Sequence, residues 1–249
     1  MKTTKRFTSA VIVAAGSSLR MECKGNKNYL QIGESPALSL TLRAFDKCEL
    51  IDEIVLVHKQ GEEAMAKAAA EDACVKKKIS YTAGGDTRSE SVCRGLGIVD
   101  LSCSHVAIHD GARALITSQD ITEVLLACYE YGAASAASRV TDTLCETKSD
   151  AGGCFIRQYI NRDGAALIQT PQCFEYSLIK KAHENAREHR AELTDDTRLA
   201  IEAGSEVKLV FSKNKNLKMT EPEDLCIARA VIKNRLVASR QETEEEYAD

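Results

Sequence analysis

Apolar positions along this chain gather into short uninterrupted runs and helical stripes that follow one another in turn. Residues 8–15, Thr-Ser-Ala-Val-Ile-Val-Ala-Ala, predict a buried strand. Over 36–47, Leu38, Leu42 and Phe45 fall on one helical face, and 53–58, Glu-Ile-Val-Leu-Val-His, predict the next strand. The alternation continues with an Ala- and Glu-rich helix over 61–78, a strand over 79–82, a helix over 89–99 and a strand over 104–108. That last strand would deliver His109 and Asp110 to its carboxyl end. A helix over 121–131 and a small-residue strand over 133–140 extend the rhythm. Strands and helices in succession imply right-handed crossovers, hence an α/β fold with a largely parallel, Rossmann-like sheet covered by helices on both faces. Ligands of such sheets sit beyond the carboxyl ends of the strands.

Past residue 140 the pattern changes. Extended stretches at 140–146 and 155–160 flank Lys-Ser-Asp-Ala-Gly-Gly at 148–153, which predicts a projecting β-hairpin arm across 139–162. An arm has little core of its own, so Val140, Leu144, Phe155, Ile156 and Tyr159 need a covering surface. A second copy of the chain is the natural candidate, making the arm a dimerisation element. The chain then returns through 165–170, a helix over 174–190, a helix over 195–203 and a strand over 206–211. Thr220-Glu221-Pro222-Glu223 opens a last helix, with Thr220 as cap, Pro222 in the first turn and Glu223 completing a capping box. The acidic end, 241–249, is expected to fray. No repeat or linker divides residues 1–249, so they read as one domain.

At 249 residues and 44% hydrophobic content the chain can bury a full core. Its net charge is −4 and its cations are scattered, which argues against a nucleic-acid partner. No run reaches the length of a membrane span. The basic start, 1–6, precedes an apolar run too short for a leader, and Arg20 follows without a cleavage pattern, so a strand is expected there. The ten cysteines contain no Cys-x-x-Cys pair and read as reduced, mostly buried thiols of a cytoplasmic protein.

Chemistry enters where the first strand empties into Gly16-Ser17-Ser18-Leu19-Arg20-Met21, with Lys24 and Lys27 close behind. Small side chains let backbone N–H groups approach anionic oxygens, and fixed cations neutralise charge that grows as phosphorus is attacked. The loop lacks the Gly-Lys-Ser/Thr of a P-loop and the three spaced glycines of a dinucleotide fingerprint. Five further segments follow in order: Gly84-Gly85-Asp86-Thr87-Arg88-Ser89-Glu90-Ser91-Val92, His109-Asp110-Gly111-Ala112-Arg113, Asp142-Thr143, Gln169-Thr170-Pro171-Gln172, and Lys218-Met219-Thr220-Glu221-Pro222-Glu223-Asp224-Leu225. With the opening loop and Lys27 they resemble the 2-C-methyl-D-erythritol 4-phosphate cytidylyltransferases of the non-mevalonate isoprenoid pathway, over about 10–235.

That resemblance implies a nucleotidyltransferase fold and a reaction in which a phosphate oxygen of the polyol phosphate attacks the α-phosphorus of CTP and pyrophosphate leaves. No protein nucleophile is needed. It also implies that Arg20 and Lys27 stabilise the transition state, and that Ala14, Ala15, Gly85, Asp86 and Ser91 meet the cytosine. Gly16, Asp110 and Gly111 would lie near ribose and phosphates. Asp110, Arg113, Thr143, Arg162, Thr170 and Lys218 would form the second-substrate site, with Arg162 and Lys218 on the phosphate and some residues crossing from a neighbouring subunit. Mg2+ is expected, bound mainly through the CTP phosphates, with Asp86 and Asp110 as outer-shell candidates. Arg88 reads as a helix-start cation, and His109 as a packing or hydrogen-bonding residue.

The chain departs from the family pattern at several points. Ser18 stands at the second loop glycine, Asn26 where Pro is usual before the lysine, and Asn28 where Gln is usual after it. Ala114, Arg139 and Cys145 also differ from common residues. A ribitol 5-phosphate cytidylyltransferase shares the fold and CTP site; Gly111-Ala112 after Asp110 favours methylerythritol. A nucleotide-sensing protein without turnover is the alternative from another class.

Overall fold

The computed structural model describes residues 6–16, 25–188 and 195–246. The first half of the chain forms β1 (Thr8–Ala14), a 3-10 turn at Lys27–Tyr29, the short β2 (Gln31–Ile32) and β3 (Ser35–Pro36), α1 (Ala37–Lys47), β4 (Glu53–His58), α2 (Glu63–Asp72), β5 (Lys78–Ala83), α3 (Arg88–Leu96) and β6 (His105–Asp110). There follow α4 (Ser118–Tyr131), β7 (Ala133–Arg139), β8 (Leu144–Asp150), β9 (Gly153–Ile160), a 3-10 turn at Arg162–Gly164, β10 (Ala166–Glu175), α5 (Tyr176–Glu188), α6 (Asp196–Glu202), β11 (Lys208–Phe211) and α7 (Pro222–Glu246).

Seven strands form the central sheet in the order β11-β7-β10-β6-β1-β4-β5. Neighbours pair in parallel except β10, which runs antiparallel to both β6 and β7. Along β1 the pleat alternates the apolar residues between two cores. Ala10, Ile12 and Ala14 pack with Leu38, Leu42 and Phe45 of α1 and with residues of α2 and α4, whereas Val11 packs with Val92 and Leu96 of α3 and with residues of α5 and α6. Each fully buried Ile, Leu or Val contributes about 1.5–3 kcal/mol, so these two layers hold the strand ends in fixed relation. A third cluster, including Ile32, Leu115, Met219 and Ala228, seats α7 against the β2–β3 region.

The strands β8 and β9 pair only with each other, as the hairpin arm anticipated across 139–162. They reach Asp150 and resume at Gly153, so the turn is tighter than the 148–153 stretch suggested. Leu144 is half-buried, while Phe155, Ile156, Tyr159 and Ile160 of the arm are exposed.

Several boundaries correct the reading of the sequence. Phe174 lies within a long strand that ends at Glu175 instead of opening a helix, because β10 fills the slot between β6 and β7 and the chain turns helical only at Tyr176. β6 continues through His109 and Asp110, since both remain paired with β1. α2 spans Glu63–Asp72, not 61–78, and α3 ends at Leu96. At the start of α7 it is the Asp224 carboxylate, not Glu223, that accepts from the Glu221 and Thr220 N–H groups, at 2.9 and 2.7 Å. α7 runs to Glu246, so it takes in most of the acidic end. Among the nine described cysteines all are free, but Cys74, Cys154 and Cys226 are exposed, so the thiols are less uniformly buried than expected; Cys23 lies outside the described residues.

Candidate active site

Register brings four strand ends to one edge. Ala14 pairs with His58, His58 with Ala83, and Val13 with Asp110, so the segments that follow β1, β4, β5 and β6 emerge side by side. They enclose a cleft of about 630 Å³ whose lining includes Ala15, Gly16, Lys27, Gly85, Asp86, Ser91, Asp110 and Lys218. Four cations line it, Lys27, Lys59, Arg88 and Lys218, against the carboxylates of Asp86 and Asp110, so the cleft favours an anionic ligand.

Its floor is made narrow by the loop from β5 to α3. The Gly84 N–H donates to the His58 carbonyl at 2.8 Å, and the Gly85 N–H donates to Ser91 Oγ at 3.1 Å. Ser91 in turn donates to the Thr87 carbonyl, while the Asp86 N–H donates to Glu90 Oε2. A Cβ on Gly84 would collide with the Ala15 Cβ and stand 2.7 Å from Ser91 Oγ, so glycine is what allows the two loops to touch. The site thus has a backbone-lined, small-residue wall beside the N-terminus of α3.

At the end of β6, Asp110 gathers three cations. Lys218 Nζ lies 2.8 Å and Arg113 Nε 3.5 Å from Oδ2, and Arg88 Nε donates to Oδ1 at 3.2 Å. Burial alone would raise the carboxyl's pKa, but the charges of Arg88, Lys218 and Arg113 hold it well below the usual carboxylate range. Arg88 is therefore more than a helix-start cation: its Nη1 also donates to Asp196 Oδ2 at 2.7 Å. Asp196 accepts from His183 Nε2 at 2.8 Å, and the other ring nitrogen of His183 faces Cys93 Sγ and Ser89 Oγ. Burial works against the imidazolium of His183, but the bonds to Asp196 and Cys93 raise its pKa to about 9.

The other residues singled out in the sequence take different places. Ala14 and Gly111 lie behind the lining, and both Asn26 and Asn28, the latter itself at the cleft, donate to the Ala14 carbonyl. Arg113 is buried and donates to the Asn216 carbonyl at 2.8 Å, so its guanidinium does not face the cleft. Thr170 is also buried; its hydroxyl accepts from the Asp110 N–H at 3.1 Å and bonds His109 Nδ1 at 3.0 Å. Instead of reaching the ligand edge, His109 is wholly buried against Phe45, and burial lowers its pKa to about 3. Thr143 and Arg162 sit at the base of the arm outside this chain's cleft, where Arg162 Nη1 donates to the Thr141 carbonyl. Arg20 and Ser18 lie outside the described residues.

Lys59 and Gln60 line the cleft without having been singled out, and Thr87 and Thr220, named in the sequence only as motif or cap residues, line it too. The signal for Lys59 and Gln60 was positional, because they directly follow a strand whose carboxyl end belongs to the ligand edge. Thr220 arrives with Lys218 because the intervening Met219 N–H donates to the Ala112 carbonyl at 3.0 Å.

Comparison with known proteins shows the family and the fold. The family model for IspD, 2-C-methyl-D-erythritol 4-phosphate cytidylyltransferase, matches residues 8–234. A relative of that name from Caldanaerobacter subterraneus subsp. tengcongensis is 42% identical over 226 residues, 90% of this chain and 98% of its own length. One from Alkaliphilus oremlandii is 37% identical, covering 92% of this chain and 96% of its own. Among solved structures, 4-diphosphocytidyl-2C-methyl-D-erythritol synthase from Anaerococcus prevotii aligns with a TM-score of 0.79 at 30% identity, covering 92% of this chain and 97% of that one. The cytidylyltransferase from Thermus thermophilus aligns at 0.74 and 31% identity, covering 91% and 99%. A family model over most of the chain and relatives this similar over nearly their whole length show that the chain belongs to the 2-C-methyl-D-erythritol 4-phosphate cytidylyltransferase family.

Proposed function

We propose that this cleft joins CTP to 2-C-methyl-D-erythritol 4-phosphate, giving 4-diphosphocytidyl-2-C-methyl-D-erythritol and pyrophosphate in isoprenoid precursor synthesis. The observation that carries the assignment of the cleft is that Lys27 and Lys218, far apart in sequence, line one cavity with a small-residue wall. A phosphate oxygen of the polyol phosphate attacks the α-phosphorus of CTP, a new P–O bond forms, and the bond from the α-phosphorus to the bridging oxygen breaks to release pyrophosphate. Two anions must be aligned against their repulsion, which is work for positioned cations.

In this reading Ala15, Gly85, Asp86 and Ser91 surround the cytosine, where backbone groups and short side chains meet a pyrimidine edge. Gly16 and Asp110 face ribose and phosphates, and Lys27, with Arg20, offsets charge at the α-phosphorus. Ala14 and Gly111 act from behind by shaping the wall, and Arg113 and Thr170 by fixing Asp110. Lys218 holds the second phosphate. Thr143 and Arg162 serve a neighbour's cleft across a homodimer formed by the arm, a reading supported by the exposed Phe155, Ile156 and Tyr159.

The donors in the cleft fit a Mg2+ that arrives on the triphosphate. Asp110 is already engaged by three cations, and no group of three metal-ligating side chains occurs among the described residues. Bound there, Mg2+ would offset the charge of the phosphates, and the exposed Asp86 is the carboxylate that would help to hold it. The free thiols suit a reducing cytoplasm; among the described residues no helix is long and apolar enough to cross a membrane.

Pyrophosphate release from CTP, followed with methylerythritol phosphate, with ribitol 5-phosphate and with no acceptor, tests the function. Release that requires methylerythritol phosphate is expected. Release only with ribitol 5-phosphate would reassign the substrate, and CTP binding without turnover would make the protein a sensor.

A further inference from the structure

We infer that Asn26 and Asn28 are positioning residues for Lys27, clamping the turn that carries it to the end of β1; the inference rests on the transition-state role proposed above for Lys27. Both amides are buried, with Asn26 5% and Asn28 2% exposed. Burying such groups is costly unless their hydrogen bonds are made; here both Nδ2 donors converge on one atom, while Asn28 Oδ1 is buried with no partner among the described residues. Asn26 Nδ2 donates to the Ala14 carbonyl at 3.1 Å and Asn28 Nδ2 donates to the same oxygen at 3.0 Å. That carbonyl belongs to the last residue of β1, the strand held from both sides by the central cores.

The two asparagines also tie themselves together across Lys27. Asn26 Oδ1 accepts from the Asn28 backbone N–H at 3.1 Å and from Asn28 Nδ2 at 2.8 Å, while Asn26 Nδ2 donates to Glu62 Oε2 at 2.7 Å. Main-chain bonds from Tyr29 to Asn26 and from Leu30 to Lys27 close the turn. Lys27 is thereby fixed at its Cα between two anchored neighbours, beside the residue that opens α2. A lysine has a long stem with many rotamers, so where its ammonium reaches depends on how firmly its base is held. Gly111 makes room for the clamp: a Cβ there would lie 3.0 Å from Asn28 Oδ1. Simple space-filling at these positions would need no amides, whereas a fixed direction for Lys27 needs donors aimed at a rigid acceptor.

The test is a double-mutant cycle on pyrophosphate release with CTP and methylerythritol phosphate. Asn28→Ala should lower kcat by about 10- to 100-fold, the scale of a catalytic group misplaced by about an ångström. The KM for CTP should stay within about twofold, and in a Lys27→Ala background the same substitution should change kcat by less than about twofold. Ser39→Ala, which removes a buried bond to the Ala69 carbonyl away from the cleft, should leave kcat unchanged. Should Asn28→Ala fail to fold, Glu62→Ala removes only the half-exposed outer tie; a fall of about threefold that vanishes without Lys27 is expected. Unchanged turnover in the asparagine and glutamate variants, or equal losses with and without Lys27, would overturn the clamp. A Lys27→Ala enzyme as fast as wild type would instead remove the role proposed for Lys27 itself, and needs no asparagine variant to be seen.

Discussion

At Lys27 one side chain joins the geometry of the loop to the chemistry of the cleft. Its ammonium is one of four cations over a wall that offers backbone and small side chains, and a preorganised charge of this kind acts most strongly where charge develops. Lys27→Ala should therefore lower kcat by about 10²- to 10³-fold, measured as initial rates of pyrophosphate release. Its melting temperature should stay close to wild type, because no core contact is lost; an unaltered kcat would take Lys27 out of the mechanism. At the same scale, residue identity alone was an uneven guide. Lys27, Lys218, Gly85 and Ser91 could be placed in the cleft from motif and order, since cations and small residues serve there by their own chemistry. Arg113 and Thr170 could not, because what turns them inward is the Asn216 carbonyl and the Asp110 N–H, contacts made across the fold.

The link between α3, α5 and α6 runs through one ionic chain, from Asp110 through Arg88 and Asp196 to His183. His183 has its pKa raised from 6.5 to about 9, so the folded state favours the imidazolium. Its contribution to stability is complete below about pH 6.5 and is lost as pH climbs through about 9. Between these limits the wild type should lose melting temperature more steeply than His183→Gln, as followed by circular dichroism; parallel slopes would show that His183 is not charged in the fold. Elements with their own periodicity, such as β1, α1 and β4, were legible from the sequence alone, because burial on two faces writes apolar runs and stripes directly. β10 was not. Its outer half is exposed and its inner half buried, so the pattern predicts a stretch that stops at 170 and a helix from 174, and only pairing with β6 and β7 makes Ala166–Glu175 one strand. The ionic chain was hidden for the same reason, as it joins residues 86 positions apart between Asp110 and Asp196.

Across the whole molecule, the central sheet supplies a rigid edge while the arm stands apart with its own two-stranded sheet. Ile156 and Tyr159 are 56% and 71% exposed, an apolar surface that a second copy would cover. Ile156→Glu combined with Tyr159→Glu should yield a monomer in sedimentation that stays folded by circular dichroism and loses turnover, because Thr143 and Arg162 would no longer reach a neighbouring cleft. A fully active wild-type monomer would contradict that arrangement. Distant cations, Lys27 and Lys218, converge on one cleft suited to anions. A crystal structure of the enzyme with CTP and the polyol phosphate tests it most directly: the triphosphate should lie against the Gly16 and Gly85 wall within hydrogen-bonding reach of Lys27, with the second phosphate on Lys218. Electron density for CTP outside this cleft, or a triphosphate that leaves Lys27 and Lys218 untouched, would contradict it.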